Sequence, residues 1–208
     1  MSNIRLLTIR FANEILPREI PLLRGAVNAA LEKEHSILFH NHTDKGFRYS
    51  YPLIQYKRIG GKAAMVCLEA GTEAIGEFFK LETAKLSLGA NVVDLQVEEV
   101  KAKETTVKIE DGFKTYRLSN WLPFNADNYR EYMALEGLVE KILFIENILI
   151  ANILAFMKGL NIFAEEELLC KILSIDEPRA VKYKGVSMLS YNITFKTNVS
   201  LPPLIGLG

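Results

Sequence analysis

Two short apolar runs, LIQYKRI (53–59) and KAAMVCLE (62–69), are joined by Gly60-Gly61. A Gly-Gly pair supplies the positive-φ positions of a tight hairpin turn, so this stretch predicts two adjacent antiparallel strands. What flanks the hairpin decides the fold. Before it, IRLLTIRF (4–11) reads as a strand. The next segment repeats Leu22, Leu23, Val27 and Leu31 at helical spacing, starting near Ile20 with Pro21 tolerated in the first turn. After it, AGTEAIGEFFKLETAKLSLG predicts a helix with Ile75, Phe78, Phe79 and Leu86 on its apolar face and Gly89 as C-cap. NVVDLQVEEVKAK then closes the unit as a strand. The order β-α-β-β-α-β is that of a ferredoxin-like split βαβ unit. Its helices cover one face of an antiparallel sheet and leave the other face available.

The second half begins with TTVKIEDGFKTYRLSNWLPF, which predicts a hairpin turning at Asp111-Gly112. NADNYREYMALEG forms a polar approach to a long apolar helix over about 135–157. ELLCKILSIDEP and VSMLSYNITFKTNVS follow as strands, and the chain closes on LPPLIGLG. The expected class is α+β: two ferredoxin-like (βαββαβ) halves in tandem, the second modified or incomplete, at 1–103 and 104–208. The apolar helix offers either core or a homodimer face.

A chain of 208 residues that is 49% hydrophobic can bury such a core. Basic and acidic residues balance at 25 each, so overall charge points to no nucleic acid; a basic surface has to be local. Cys67 and Cys170 lie inside apolar runs and read as buried free thiols of a reducing compartment, so a cytoplasmic location is expected. The N-terminus carries no signal-peptide pattern. The most apolar stretch, 138–157, is broken by Glu140, Lys141 and Glu146 and is not expected to span a membrane.

The local basic surface is found between Lys45 and Lys62. Lys45, Arg48, Lys57, Arg58 and Lys62 occur there with no Asp or Glu, interleaved with Tyr49, Tyr51 and Tyr56. Cations for phosphates and flat rings for bases suit single-stranded nucleic acid. A solvated hairpin with its tyrosines packed on the sheet gives the same composition. Just upstream are all three histidines, His35, His40 and His42. In an extended segment His40 and His42 point to one side. Two neighbouring imidazoles can act as general base and general acid near neutral pH. RNA strand cleavage needs that pair: one proton leaves the 2′-OH, another reaches the departing 5′-oxygen. Lys45 or Arg48 would steady the phosphate, and a tyrosine hydroxyl would orient or donate. A metal site would need a further ligand beyond Asp44, so neither metal nor cofactor is expected. His35 ends a helical run, where an imidazolium complements the helix dipole. Gly206 and Gly208 would let backbone N–H groups approach a phosphate, although glycines at a chain end are more often simply flexible.

LRGAVNAALEKEHSILFHNHTDKGFRYSYPLIQYKRIGGKAAMVCLEAGTEAI (23–75) resembles the N-terminal part of the CRISPR-associated repeat-RNA endoribonucleases of the RAMP superfamily, in the branch lettered "b". SLPPLIGLG resembles the start of that superfamily's glycine-rich loop, and the chain stops at Gly208 before the loop's basic half. The resemblance implies paired ferredoxin-like folds and metal-independent cleavage of precursor CRISPR RNA within its repeat. It implies 2′-OH attack, leaving a 2′,3′-cyclic phosphate and a 5′-OH. Carried over by position, His40 and His42 fall in the histidine motif, with Lys45 and Tyr49 as helpers. Arg48, Tyr51, Lys57, Arg58, Lys62, Gly206 and Gly208 become RNA-binding residues. The implied partners are single-stranded or hairpin repeat RNA and other CRISPR-associated proteins. A non-catalytic RNA-binding module is the alternative, and a metal-dependent hydrolase a more distant one.

Overall fold

The computed structural model describes residues 2–31, 42–43, 46–47, 51–80, 85–183 and 185–208, with backbone alone at 42–43, 46–47 and 183. The chain divides into two compact units, one of Asn3–Thr105 and one of Thr106–Gly208 joined by the first two residues.

The N-terminal unit is built on the expected hairpin. β4 (Ile54–Ile59) and β5 (Lys62–Leu68) pair antiparallel around Gly60 and Gly61, both at positive φ. β1 (Ser2–Glu14) pairs with β5, Leu7 opposite Cys67 and Ile9 opposite Met65. β8 (Val97–Val107) lies on the outer side of β1, giving the order β4-β5-β1-β8. That order belongs to a split βαβ unit, with the first and third strands central. α1 (Ile20–Ala30) begins with Pro21 in its first turn, as the sequence predicts. It buries Leu23 and Val27, whereas Leu22 remains 42% exposed. α2 (Ala70–Phe79) buries Ile75 and Phe78. Both helices face Ile9, Phe11, Met65 and Cys67, and Phe11 meets Phe78 edge-on at 6.4 Å.

Three features of this unit depart from the sequence reading. α2 stops at Phe79; Lys85–Leu88 is a strand, β6, paired with β7 (Asn91–Asp94). Gly89, φ +66°, serves the turn of that hairpin and not a helix cap. Leu86 and Leu88 alternate with exposed neighbours, a period of two that the surrounding helical pattern hides. The segment 91–107 is therefore two strands, not one. The sheet face away from the helices is also not open, for Ile4, Leu6, Ala64, Val66 and Leu68 are all buried.

In the C-terminal unit β12 (Val186–Val199) is central. β9 (Ile109–Trp121) pairs along one side of it. β10 (Cys170–Ile175) and β11 (Arg179–Tyr183) pair with β12 in turn, antiparallel, β10 with its C-terminal half and β11 with its N-terminal half. The expected hairpin at Asp111-Gly112 does not form, because both residues lie within β9. They fall where the register jumps from Thr197–Lys114 to Val199–Ile109, so the turn signal marks a bulge. The expected polar approach is a helix, α3 (Ala126–Ala134), whose first turn is capped by the Asn125 side chain accepting the Asn128 N–H at 2.8 Å. α4 (Leu138–Gly159) follows; Ile145, Leu149, Ile153 and Phe156 form its buried stripe, and Leu138 and Val139 remain exposed. Among the described residues no helix is long and apolar enough to cross a membrane.

Candidate nucleic-acid interface

The β4–β5 hairpin sorts the sequence-predicted residues by face. Ile54 and Tyr56 point to the helices, and Tyr56 donates to Asn28 Oδ1 on α1 at 3.4 Å. Alternation therefore sends Gln55 and Lys57 to the opposite face. Their register partners there are Val66 and Ala64, and Ala64 is in turn opposite Arg10 of β1.

The three cations of this hairpin differ in what they touch. Arg58 Nε donates to the Ile15 carbonyl at 2.7 Å, tying the hairpin to the segment after β1. Lys62 Nζ donates to Glu98 Oε1 at 2.6 Å, and Arg10 Nε donates to the other oxygen, Oε2, at 3.0 Å. Lys62 first, then Arg10, holds the Glu98 carboxyl below the usual carboxylate range. Lys57 has no hydrogen-bond or ion-pair partner among the described residues. Burial lowers its pKa to about 8, because a desolvated ammonium is disfavoured.

Tyr51 follows the histidine segment and leads into β4. Its hydroxyl accepts from Gln55 Nε2 at 2.7 Å, and burial pushes its phenol well above the ordinary range. Tyr51 is thus a half-buried neighbour of the Gln55–Lys57 row and not an exposed stacking ring. Sequence reasoning passed over Gln55, Arg10 and Glu98. Their signal was available as polar residues at alternate positions of apolar strands, which puts them on a shared face.

His42 and Thr43 form β2, a two-residue ladder with Gly46–Phe47 (β3), in which His42 is opposite Phe47. His35, His40, Lys45, Arg48 and Tyr49 lie outside the described residues. Gly206 and Gly208 belong to the C-terminal unit. Gly208 has φ +120°, and a β-carbon there would be 3.3 Å from Trp121 Nε1 and 3.4 Å from Asn152 Nδ2, so a side chain fits poorly.

Two family models cover nearly the whole chain: the Cas6b N-terminal domain matches residues 2–106 and the Cas6b C-terminal domain matches residues 108–208. The chain belongs to the Cas6b family. Solved structures agree on the fold. A structure titled as Cas6b is 24% identical with a TM-score of 0.89, covering 100% of this chain and 94% of its own. One titled as the CRISPR RNA processing endoribonuclease Cas6b is 22% identical at 0.73, covering 100% and 93%. A RAMP protein described as binding different RNA substrates is 12% identical at 0.50, covering 95% and 88%. No curated protein sequence matches this chain. The Cas6b assignment fits the tandem arrangement of two sheet-rich units, one with full split βαβ order and one modified.

Proposed function

We propose that this Cas6b chain is an endoribonuclease that cuts CRISPR repeat RNA. The observation that carries the reading is the family match, which takes in both halves of the chain. A structural relative whose title calls it a CRISPR RNA processing endoribonuclease supports it.

In the proposed reaction one of His40 and His42 removes the proton of a 2′-OH. The alkoxide attacks the adjacent phosphorus, and the other imidazole protonates the departing 5′-oxygen. The products are a 2′,3′-cyclic phosphate and a 5′-OH. Lys45 and Tyr49 would steady the phosphate. Lys57, half-buried on β4 after the histidine segment, would receive a flanking phosphate. The chemistry uses only side chains whose protons move near neutral pH. It calls for no metal.

The test offers the full chain a repeat RNA, with chelator present, beside a copy carrying one 2′-deoxy residue at the cleaved position. Cleavage of the first and survival of the second is the expected result. His40→Ala with His42→Ala should remove cleavage and keep binding. Binding of both RNAs without cleavage of either overturns the enzymatic reading in favour of a non-catalytic RNA-binding module.

A further inference from the structure

The basic run of the β4–β5 hairpin is chemically uniform in sequence and divided in the structure. Arg58 gives its Nε–H to a backbone carbonyl, and Lys62 is paired with Glu98. Lys57 stands in the middle of β4, half-buried, opposite Ala64, whose single methyl offers it neither charge nor acceptor. Two residues back along the same face, the Gln55 amide is engaged by the Tyr51 hydroxyl. A half-buried ammonium without a counter-ion is costly, and an anion brought to it removes that cost.

We propose that Lys57 is a cation of this hairpin that takes a phosphate of bound RNA, whereas Lys62 is committed to Glu98. This rests on the RNA reading above and narrows it to one side chain.

The charged surroundings of Lys57 make the contact pH-sensitive. Just before β4, Tyr51 is joined to the Lys57 face through its hydrogen bond with Gln55. Across β5 and β1 the row runs through Ala64 to Arg10, and on β8 through Glu98 and Glu99. Lys62 chiefly holds Glu98 below the usual carboxylate range, and Lys101 chiefly does so for Glu99, so neither titrates in the alkaline range. Burial likewise keeps the Tyr51 proton in place there. Lys57 is the group that changes charge, near pH 8. A phosphate raises its pKa. RNA binding therefore takes up a proton above pH 8, and affinity is flat below that pH and falls above it.

The experiment measures Kd of the full chain for an uncleavable 2′-O-methyl copy of the repeat RNA, from pH 6.5 to 9.5 at fixed ionic strength. The wild type is expected to weaken by up to about tenfold per unit above pH 8. Lys57→Gln should bind about five- to tenfold more weakly at pH 7, with no alkaline fall. Lys57→Arg, charged throughout, should keep the affinity and lose the fall, which covers the case in which glutamine disturbs the strand. Lys62→Gln should keep the wild-type profile. An alkaline fall that survives in Lys57→Arg, or wild-type affinity in Lys57→Gln, overturns the assignment while leaving RNA binding intact. Absence of RNA binding in the wild type at every pH overturns the RNA reading, and this assignment with it.

Discussion

A lysine half-buried in mid-strand leaves a mark on folding as well as on binding, and the two marks have opposite sign. The unfolded chain keeps Lys57 protonated up to about pH 10.4, whereas the folded chain releases the proton near 8. Between these values the unfolded state holds more protons, so stability from this residue rises with pH, by at most about 1.4 kcal/mol per unit. Partial exposure reduces that slope. RNA affinity falls over the same range. Lys57→Met should accordingly stabilise the free protein at pH 7 by roughly 1–2 kcal/mol and flatten its alkaline rise in stability. Urea midpoints of both proteins at pH 7 and 9.5 check this; a wild type that loses stability relative to the variant as pH rises would count against a desolvated ammonium. Nothing in the string YKRIGGK separates Lys57 from Lys62. Alternation assigns both to the same face, and only the position of Glu98, two strands away in the sheet, gives Lys62 a partner. The histidine pair is the reverse case, conspicuous in sequence while its side chains lie outside the described residues.

At the level of elements, local turn chemistry was the least dependable signal. Gly60-Gly61 makes the hairpin it suggests, since matching apolar strands follow on both sides. Asp111-Gly112 does not, because β12 is long enough to draw the whole of β9 along it and absorbs the pair as a bulge. Helix spacing found α1 and the buried stripe of α4, but ran past the end of α2 into β6, where two buried leucines fit either period. One anchor was invisible to any periodicity. Glu146, 5% exposed on the buried side of α4, accepts the Ile172 N–H at 2.8 Å and Lys171 Nζ at 3.0 Å, at the point where β10 shifts register against β12. Lys171 is largely exposed, so its ion pair contributes little, and the backbone bond is the larger part. Glu146→Ala strands that N–H and should cost about 1–3 kcal/mol. Glu146→Gln keeps a carbonyl acceptor and should cost less than half as much. Equal losses in denaturant unfolding would shift the weight to the charge.

On the scale of the whole molecule, the N-terminal architecture was legible because one central hairpin and two helical stripes leave few topologies. The C-terminal unit was legible only as a modified copy, because its extra helix and bulged strands depend on pairing between distant segments. The chain is neutral overall, and its described cations are widely paired: Arg5 with Glu73, Arg10 and Lys62 with Glu98, Lys114 with Glu110, Arg130 with Asp127. A paired cation must give up its partner before it can neutralise a phosphate, so it displaces counterions less readily than an unpaired one. RNA binding should weaken with salt, each phosphate neutralised contributing a slope of roughly −0.7 in log K against log salt. Lys57→Gln should reduce the magnitude of that slope by about 0.7 at pH 7, whereas Lys62→Gln should leave it unchanged. Titrations at several salt concentrations measure both slopes. Equal reductions in the two variants would mean that the Glu98 pairs open when RNA arrives, and that the division between structural and ligand-seeking cations does not survive binding.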